Sequence, residues 1–224
     1  MSASLSPFFD RQRRSATASS KAKANITIRP AEANFADGLD YARFFNQASV
    51  GFIRFMLGRR FAEIIAEAFA MPSHDYSFEN VLVAHRDGVV VGTAAGYTAE
   101  QHAQCSDEVL AKSGGYPKAR MLVMKLAFAS LWRLLNTIET GDFYLQSIAV
   151  TCECQGEGIG SMLVDAMGDR AKQTNSTRMV LDVAEKNFGA RQLYERHGMR
   201  IESKWPRRLP IPRFGILRMA KQLG

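Results

Sequence analysis

From residue 25 onward, apolar and polar positions recur with periods that predict alternating strands and helices. Asn25-Ile26-Thr27-Ile28-Arg29-Pro30 alternates over one short stretch and is closed by proline, as a first strand would be. Residues 36–70 have helical character, and Gly51 or Gly58 is where the stretch would break into two helices. Residues 81–84 and 89–97 are β-rich runs joined through Arg86-Asp87-Gly88, and Asp-Gly between such runs predicts a hairpin. Residues 98–142 form a long connection. It contains Gly114-Gly115 and then residues 119–138, whose apolar side chains would cover nearly every face of a helix, as in a buried or interfacial helix. Residues 144–150 read as a buried strand. From 159 to 171, Ile159, Met162, Leu163, Ala166, Met167 and Ala171 recur at helical spacing. Residues 178–183 read as another strand. It leads into a short helix with Asn187 as N-cap, Gly198 as C-cap, and Ala190, Leu193, Tyr194 and His197 on one face. Residues 200–204 and 214–219 would pair as the last two strands, with Pro206, Pro210 and Pro212 in the loop between them. This order predicts an α/β fold, a sheet flanked by helices.

The junction between strand 144–150 and helix 159–171 is rich in glycine: Gln155-Gly156-Glu157-Gly158-Ile159-Gly160-Ser161. Glycines where a strand hands over to a helix N-terminus leave backbone N–H groups pointing outward, with the positive end of the helix dipole behind them, which suits a phosphate. The dinucleotide fingerprint is excluded, because Leu163 stands where its third glycine belongs. The P-loop is excluded too, because no lysine precedes Ser161. Gln155-x-x-Gly158-x-Gly160 instead resembles the pyrophosphate loop of the GNAT family of N-acetyltransferases. The later Asn187-x-x-Ala190-x-x-x-Tyr194 pattern, followed by Gly198, resembles the second signature of the same family and is closest to its ribosomal-protein N-terminal acetyltransferases. The resemblance spans residues 26–202 and is densest over 144–199.

The resemblance implies a mixed, strongly twisted sheet with a bulge in strand 144–150, which splays from the following strand to admit acetyl-CoA, the acyl donor. Carried over residue by residue, Ile148, Ala149 and Val150 offer backbone groups to the pantetheine and acetyl carbonyl. Gln155, Gly156, Glu157, Gly158, Ile159, Gly160 and Ser161 hold the pyrophosphate, and Asn187 and Ala190 meet the cofactor arm. Tyr194 faces the cofactor sulfur as candidate general acid, and Asp182, on the strand leading to Asn187, is the candidate base. Aspartate is one methylene shorter than the family's glutamate, so it would act through a water. Glu153, Glu185 and Gln146 are further candidates near the cleft. The implied reaction is direct attack of a primary amine on the thioester. The alternative is a catalytically weak CoA-binding module with a regulatory or acceptor-docking role.

Composition adds boundaries. At 224 residues and 46% hydrophobic, the chain is expected to form one domain from residue 25 to 224, with a basic N-terminal tail over 1–24 and an insertion over 98–142. No apolar run is long enough to span a bilayer, and no signal pattern opens the chain. The net charge of +7 is uneven, with +4 in residues 1–24, +6 in 200–224 and −3 between. No nucleic-acid motif accompanies the basic ends, and solvated tails plus a charged edge strand account for them. Cys152 and Cys154 read as loop residues, and three cysteines make no disulfide framework, so a cytoplasmic protein without metal is expected. His74, His85 and His102 read as scattered loop or hairpin residues. The expected acceptor is a small-molecule amine or a peptide N-terminus, bound by residues 35–75, 98–142 and 203–213. A homodimer through the 119–138 helix is expected from its all-round apolarity.

Overall fold

The computed structural model describes residues 25–105, 137–206 and 215–224, with single positions at 109, 110, 113, 126 and 129. The expected tail over 1–24, Gly114-Gly115, most of the 119–138 helix, and Pro210, Pro212 and Phe214 lie outside the described residues. Positions 126 and 129 are helical, and Leu126 is exposed.

After β1 (Ile26–Pro30) come α1 (Phe35–Ala48), α2 (Phe52–Leu57) and α3 (Phe61–Phe69). Two helices were expected here and three form, because Gly51 and Gly58 both take positive φ, 82° and 80°, and each interrupts the helix. A 3-10 turn (Phe78–Asn80) leads to β2 (Val81–Arg86) and β3 (Val89–Thr98). Their turn is the expected hairpin, with Asp87 and Gly88 both at positive φ, which matches the right-handed twist of the strands. Thr98 then opens α4 (Ala99–Ala103) with a capping box to Gln101. The remaining elements are β4 (Asp142–Val150), α5 (Ile159–Gln173), β5 (Arg178–Ala184), α6 (Phe188–Arg196), β6 (Arg200–Trp205) and β7 (Ile216–Gln222). Met162 departs from the expected apolar stripe of α5 and faces solvent.

The seven strands form one sheet in the order β1-β2-β3-β4-β5-β7-β6, antiparallel at every step except β4–β5. The last two strands pair as expected, and β7 lies inside while β6 forms the edge with Arg200, Glu202 and Lys204 along it. Alternation of side chains gives the sheet two apolar faces. One packs Phe143, Leu145, Met179, Leu181, Leu217 and Met219 against α5 and α6 through Leu163, Met167 and Tyr194. The other packs Val81, Val83 and Ala95 against α1 and α3 through Tyr41, Phe45, Ile65 and Phe69. The two faces therefore carry different chemistry, and residues of intermediate parity, Tyr144, Asp182 and Arg218, belong to the α1 face.

Asp182 and Arg218 stand directly opposite each other on β5 and β7. Arg218 donates from Nε to Asp182 Oδ1 at 3.0 Å and from Nη2 to Oδ2 at 2.7 Å, with side-chain exposures of 9% and 3%. Tyr144 adds a hydroxyl donor to Asp182 Oδ2 at 3.1 Å, so one carboxylate ties β4, β5 and β7 together. Burial alone would lower the Arg218 pKa, and the hydrogen bonds and charge of Asp182 more than offset it, so the guanidinium stays charged.

Two stability predictions follow from this packing. A Cβ on Gly38 of α1 would sit 2.8 Å from the Ala66 Cα of α3. Ala would gain about 1 kcal/mol of helix propensity over Gly, but the backbone clash costs about 1–3 kcal/mol. Gly38→Ala is therefore expected to destabilise the fold in urea unfolding, and a more stable variant would show that α1 and α3 separate freely. Arg218→Met strands a buried carboxylate and should cost about 3–5 kcal/mol. The double variant Arg218→Met with Asp182→Leu should recover most of that loss, and additivity of the two single losses would count against the coupling.

Candidate active site

β4 and β5 are paired only from Asp142↔Arg178 to Tyr144↔Val180. Beyond that point β4 runs on for six residues with β3 on one flank and no strand on the other. The register to β3 also shifts here: Leu145 faces Gly96 and Ser147 faces Ala95, which leaves Gln146 as the extra residue of a β-bulge. Gln146 is held by the buried Tyr41 of α1, whose hydroxyl donates to its Oε1 at 2.8 Å. The expected bulge and splay are thus both present, and they open a notch beside Ile148, Ala149 and Val150.

Below the notch the chain turns through a 3-10 segment (Cys152–Cys154) into the glycine loop. Gly156 and Gly158 take φ of 83° and 87°, and a Cβ on either would meet nothing within 4 Å. Glycine is needed there for backbone conformation, and the space in front of the loop is open. Gly158 is also the N-cap of α5. The N–H groups of residues 156–161 donate to no protein acceptor among the described residues. Six adjacent donors at a helix N-terminus form a ready cradle for a diphosphate. Gln155 does not face that cradle. Its Nε2 donates to Val150 O at 3.1 Å, where Gln47 of α1 also donates at 2.9 Å, so Gln155 sets the angle between strand and loop. Glu157 turns toward β2 and pairs with Arg86. Gly160 lets α6 approach, since a Cβ there would lie 3.2 Å from Leu193.

Asn187 caps α6 by accepting from the Ala190 N–H at 3.2 Å, and Gly198 follows its end at φ 83°. Tyr194 projects from α6 into the core beneath α5 and is 7% exposed. Burial pushes its phenol up to about 12, so the hydroxyl stays protonated at working pH. Asp182 lies on the opposite face of the sheet, engaged by Arg218 and Tyr144 as described. The two candidate catalytic groups thus bracket the notch from either side. Of the other candidates, Glu185 is bound by Lys204 at 2.6 Å, Glu153 is exposed and takes the Thr151 hydroxyl, and Gln146 is held by Tyr41. Among the described residues no group of three His, Cys, Asp or Glu could hold a metal, and no helix is long and apolar enough to cross a membrane.

One pair on the α1 face escaped the sequence reading. His102 is not a loop residue: it sits in α4 and its Nδ1 lies 2.8 Å from Asp75 Oδ2. Its ring stacks on Tyr97 at 5.5 Å, and Tyr97 in turn meets Tyr144 at 5.7 Å. Asp75 and His102 are 27 residues apart with no shared motif, so only the fold brings them together.

The profile described as the acetyltransferase (GNAT) family matches residues 59–199, more than half of the chain. No characterised protein matches at the level of sequence. Among solved structures, one described as the crystal structure of acetyltransferase is 24% identical, with a TM-score of 0.62 over 88% of this chain and 100% of the other. The N-acetyltransferase from Staphylococcus aureus Mu50 is 15% identical, with a TM-score of 0.63 over 87% and 100%. The yncA protein from Salmonella typhimurium, solved with its cofactor acetyl-CoA, is 18% identical, with a TM-score of 0.51 over 90% and 95%. The forked sheet, the glycine cradle and the matched profile together make this chain a member of the GNAT family of acetyltransferases, with acetyl-CoA as its acyl donor.

Proposed function

We propose that the protein transfers the acetyl group of acetyl-CoA to a primary amine by direct attack, with the thioester lodged in the notch where β4 leaves β5. The observation that carries this reading is the row of unpaired N–H groups over residues 156–161, next to the unpaired flank of β4. The cradle would take the diphosphate and the Ile148–Val150 backbone the pantetheine. A backbone donor aimed at the thioester oxygen would contribute about 3–4 kcal/mol to lowering the barrier. Gln155 would act through the strand-to-loop angle, and Asn187 and Ala190 through the N-terminus of α6.

In this reading the amine enters from the α1 face and the sulfur departs toward α6. Tyr194 would donate a hydrogen bond to the departing sulfur. A phenol held up to about 12 is fully protonated between pH 6 and 10, so Tyr194 sets no alkaline limit in that range. Asp182 stands on the face where a base would serve. Because both of its oxygens are occupied by Arg218 and Tyr144, we assign it to positioning those groups at the fork, with the amine proton leaving through water. The acceptor is a small-molecule amine or a peptide N-terminus. Three free cysteines suit a reducing compartment such as the cytoplasm. A CoA-binding module without catalysis would keep the cradle but give Tyr194 no task.

Calorimetric titration with acetyl-CoA tests the cofactor site. Saturable binding is expected and should be lost in Gly158→Trp, whose thermal melt is recorded alongside; no binding by the folded wild-type protein would overturn the assignment. Once an acceptor is in hand, Tyr194→Phe is expected to lower kcat about 100-fold with little change in the KM for acetyl-CoA, and an unchanged kcat removes Tyr194 from the chemistry. Asp182→Asn should lower stability yet leave the shape of the pH–rate profile intact. Loss of its acidic limb would instead make Asp182 the base.

A further inference from the structure

The acceptor's chemical class can be narrowed from the α1 face of the notch, on the reading that the notch holds the thioester. Asp75 lies in the loop between α3 and the 3-10 turn before β2, and that loop is built rigidly. The buried His74 beside it places Nε2 2.9 Å from Ala68 O, and its Nδ1 accepts from the Tyr76 N–H at 3.1 Å. Asn80 donates to His74 O at 2.9 Å, and Ser77 N–H donates to the same oxygen at 3.0 Å. Asp75 is therefore fixed in place by its neighbours before any partner of its own is counted.

The Asp75 side chain is 17% exposed, and its two oxygens differ. Oδ2 meets His102 Nδ1 at 2.8 Å; a carboxylate only accepts, so the proton on that contact belongs to the imidazole. Oδ1 is buried and has no hydrogen-bond partner. No Lys or Arg pairs with Asp75 among the described residues. A buried carboxylate oxygen left without a donor is costly, and such groups in native folds are accounted for by function or by a bound species.

The surroundings indicate which species. Aromatic rings dominate: Tyr97 between His102 and Tyr144, and Tyr41 stacked at 5.4 Å on Phe45, which meets Tyr76 at 5.8 Å. After burial itself, the Asp75 charge helps to raise the Tyr41, Tyr97 and Tyr144 phenols, so all three lie within its field. The Cys105 thiol beside Asp75 is pushed up to about 12, again by burial first, and stays neutral. Neutral phenols and a neutral thiol around one unpaired carboxylate oxygen favour a compact organic cation, because ring faces attract cations and the carboxylate supplies the charge. The same array reaches the fork through Tyr144, which bonds Asp182, and through Tyr41, which bonds the bulge residue Gln146.

We propose that Asp75 Oδ1, enclosed by Tyr41, Tyr97 and Tyr144, is the contact that receives the acceptor as its ammonium ion, so that the acceptor is an aliphatic amine that is protonated at neutral pH rather than a neutral arylamine. An aliphatic ammonium, with a pKa near that of lysine at about 10.4, arrives charged. An arylamine arrives uncharged and leaves Asp75 Oδ1 without a strong donor.

The test needs no knowledge of the natural acceptor. The His102 ring signals are followed by NMR during titration with n-butylammonium chloride, n-butanol or aniline, in the free protein and with coenzyme A present. Butylammonium should give saturable shifts in at least one of the two conditions, and butanol and aniline should bind at least tenfold more weakly. Asp75→Asn should weaken butylammonium at least tenfold while leaving acetyl-CoA calorimetry unchanged, which also shows that the variant is folded. Equal binding of butanol, equal binding by a folded Asp75→Asn protein, or no saturable shift with butylammonium in either condition overturns the proposal. The three-ligand comparison on wild-type protein decides even if the variant does not fold. Failure of acetyl-CoA to bind, by contrast, strikes the cofactor reading alone, since the titration of the free protein involves no cofactor.

Discussion

Everything in this molecule that bears on function depends on β4 ending its partnership with β5 after three residues. A parallel pair of this length could have zipped further, since both strands continue. Side chains prevent it. Tyr41 draws the bulge at Gln146 toward α1, and Gln47 and Gln155 both satisfy Val150 O, a backbone acceptor that another strand might otherwise have taken. On the far side of the fork, Arg218 holds Asp182 toward β7. Each strand is thus anchored to its outer neighbour, and the gap between them keeps backbone groups available to a ligand that can hydrogen-bond like a strand.

The fork would be unstable if it were not braced on both faces. Beneath it, α5 and α6 pack a continuous apolar core from Leu82 to Met219. Above it, α1 and α3 pack a second core rich in aromatic rings. The braces also divide the chemistry. The α5–α6 side offers backbone donors, the helix dipole and a buried phenol, which suit phosphate and a departing sulfur. The α1 side offers carboxylates, one guanidinium already neutralised by Asp182, and several tyrosines, which suit an incoming amine. A site that must hold a polyanion and receive a cation benefits from this separation, because neither ligand then competes for the other's contacts.

The Asp182–Arg218 pair illustrates how placement changes the meaning of a residue. An acidic residue in an apolar strand reads as a candidate base, and the strand and the spacing to Tyr194 were correctly anticipated. The arginine that engages it arrives from β7, 36 residues later. A buried bidentate pair lends geometric specificity at the fork more than stability, because the desolvation of both ions offsets much of their attraction. Asp75 reverses the case: an unremarked loop aspartate becomes notable only because α4 brings His102 to one oxygen and the tyrosines close over the other.

The order of strands and helices, the Asp-Gly hairpin, the glycine cradle and the caps at Asn187 and Gly198 were legible in the sequence because each depends on local forces. Hydrophobic period, positive φ and orphan N–H groups act over fewer than ten residues, so a short window contains the whole cause. The helix breaks at Gly51 and Gly58 were visible for the same reason, although that both are used depends on how α1, α2 and α3 pack. The sequence alone therefore determined the α/β class and where a diphosphate would bind. Only the tertiary structure decided how Asp182 is engaged, that Gln155 braces a strand, and that Asp75 and His102 meet among tyrosines on the acceptor face. Those contacts join residues tens to a hundred positions apart, and their geometry is set by sheet register and helix packing, which no local pattern encodes.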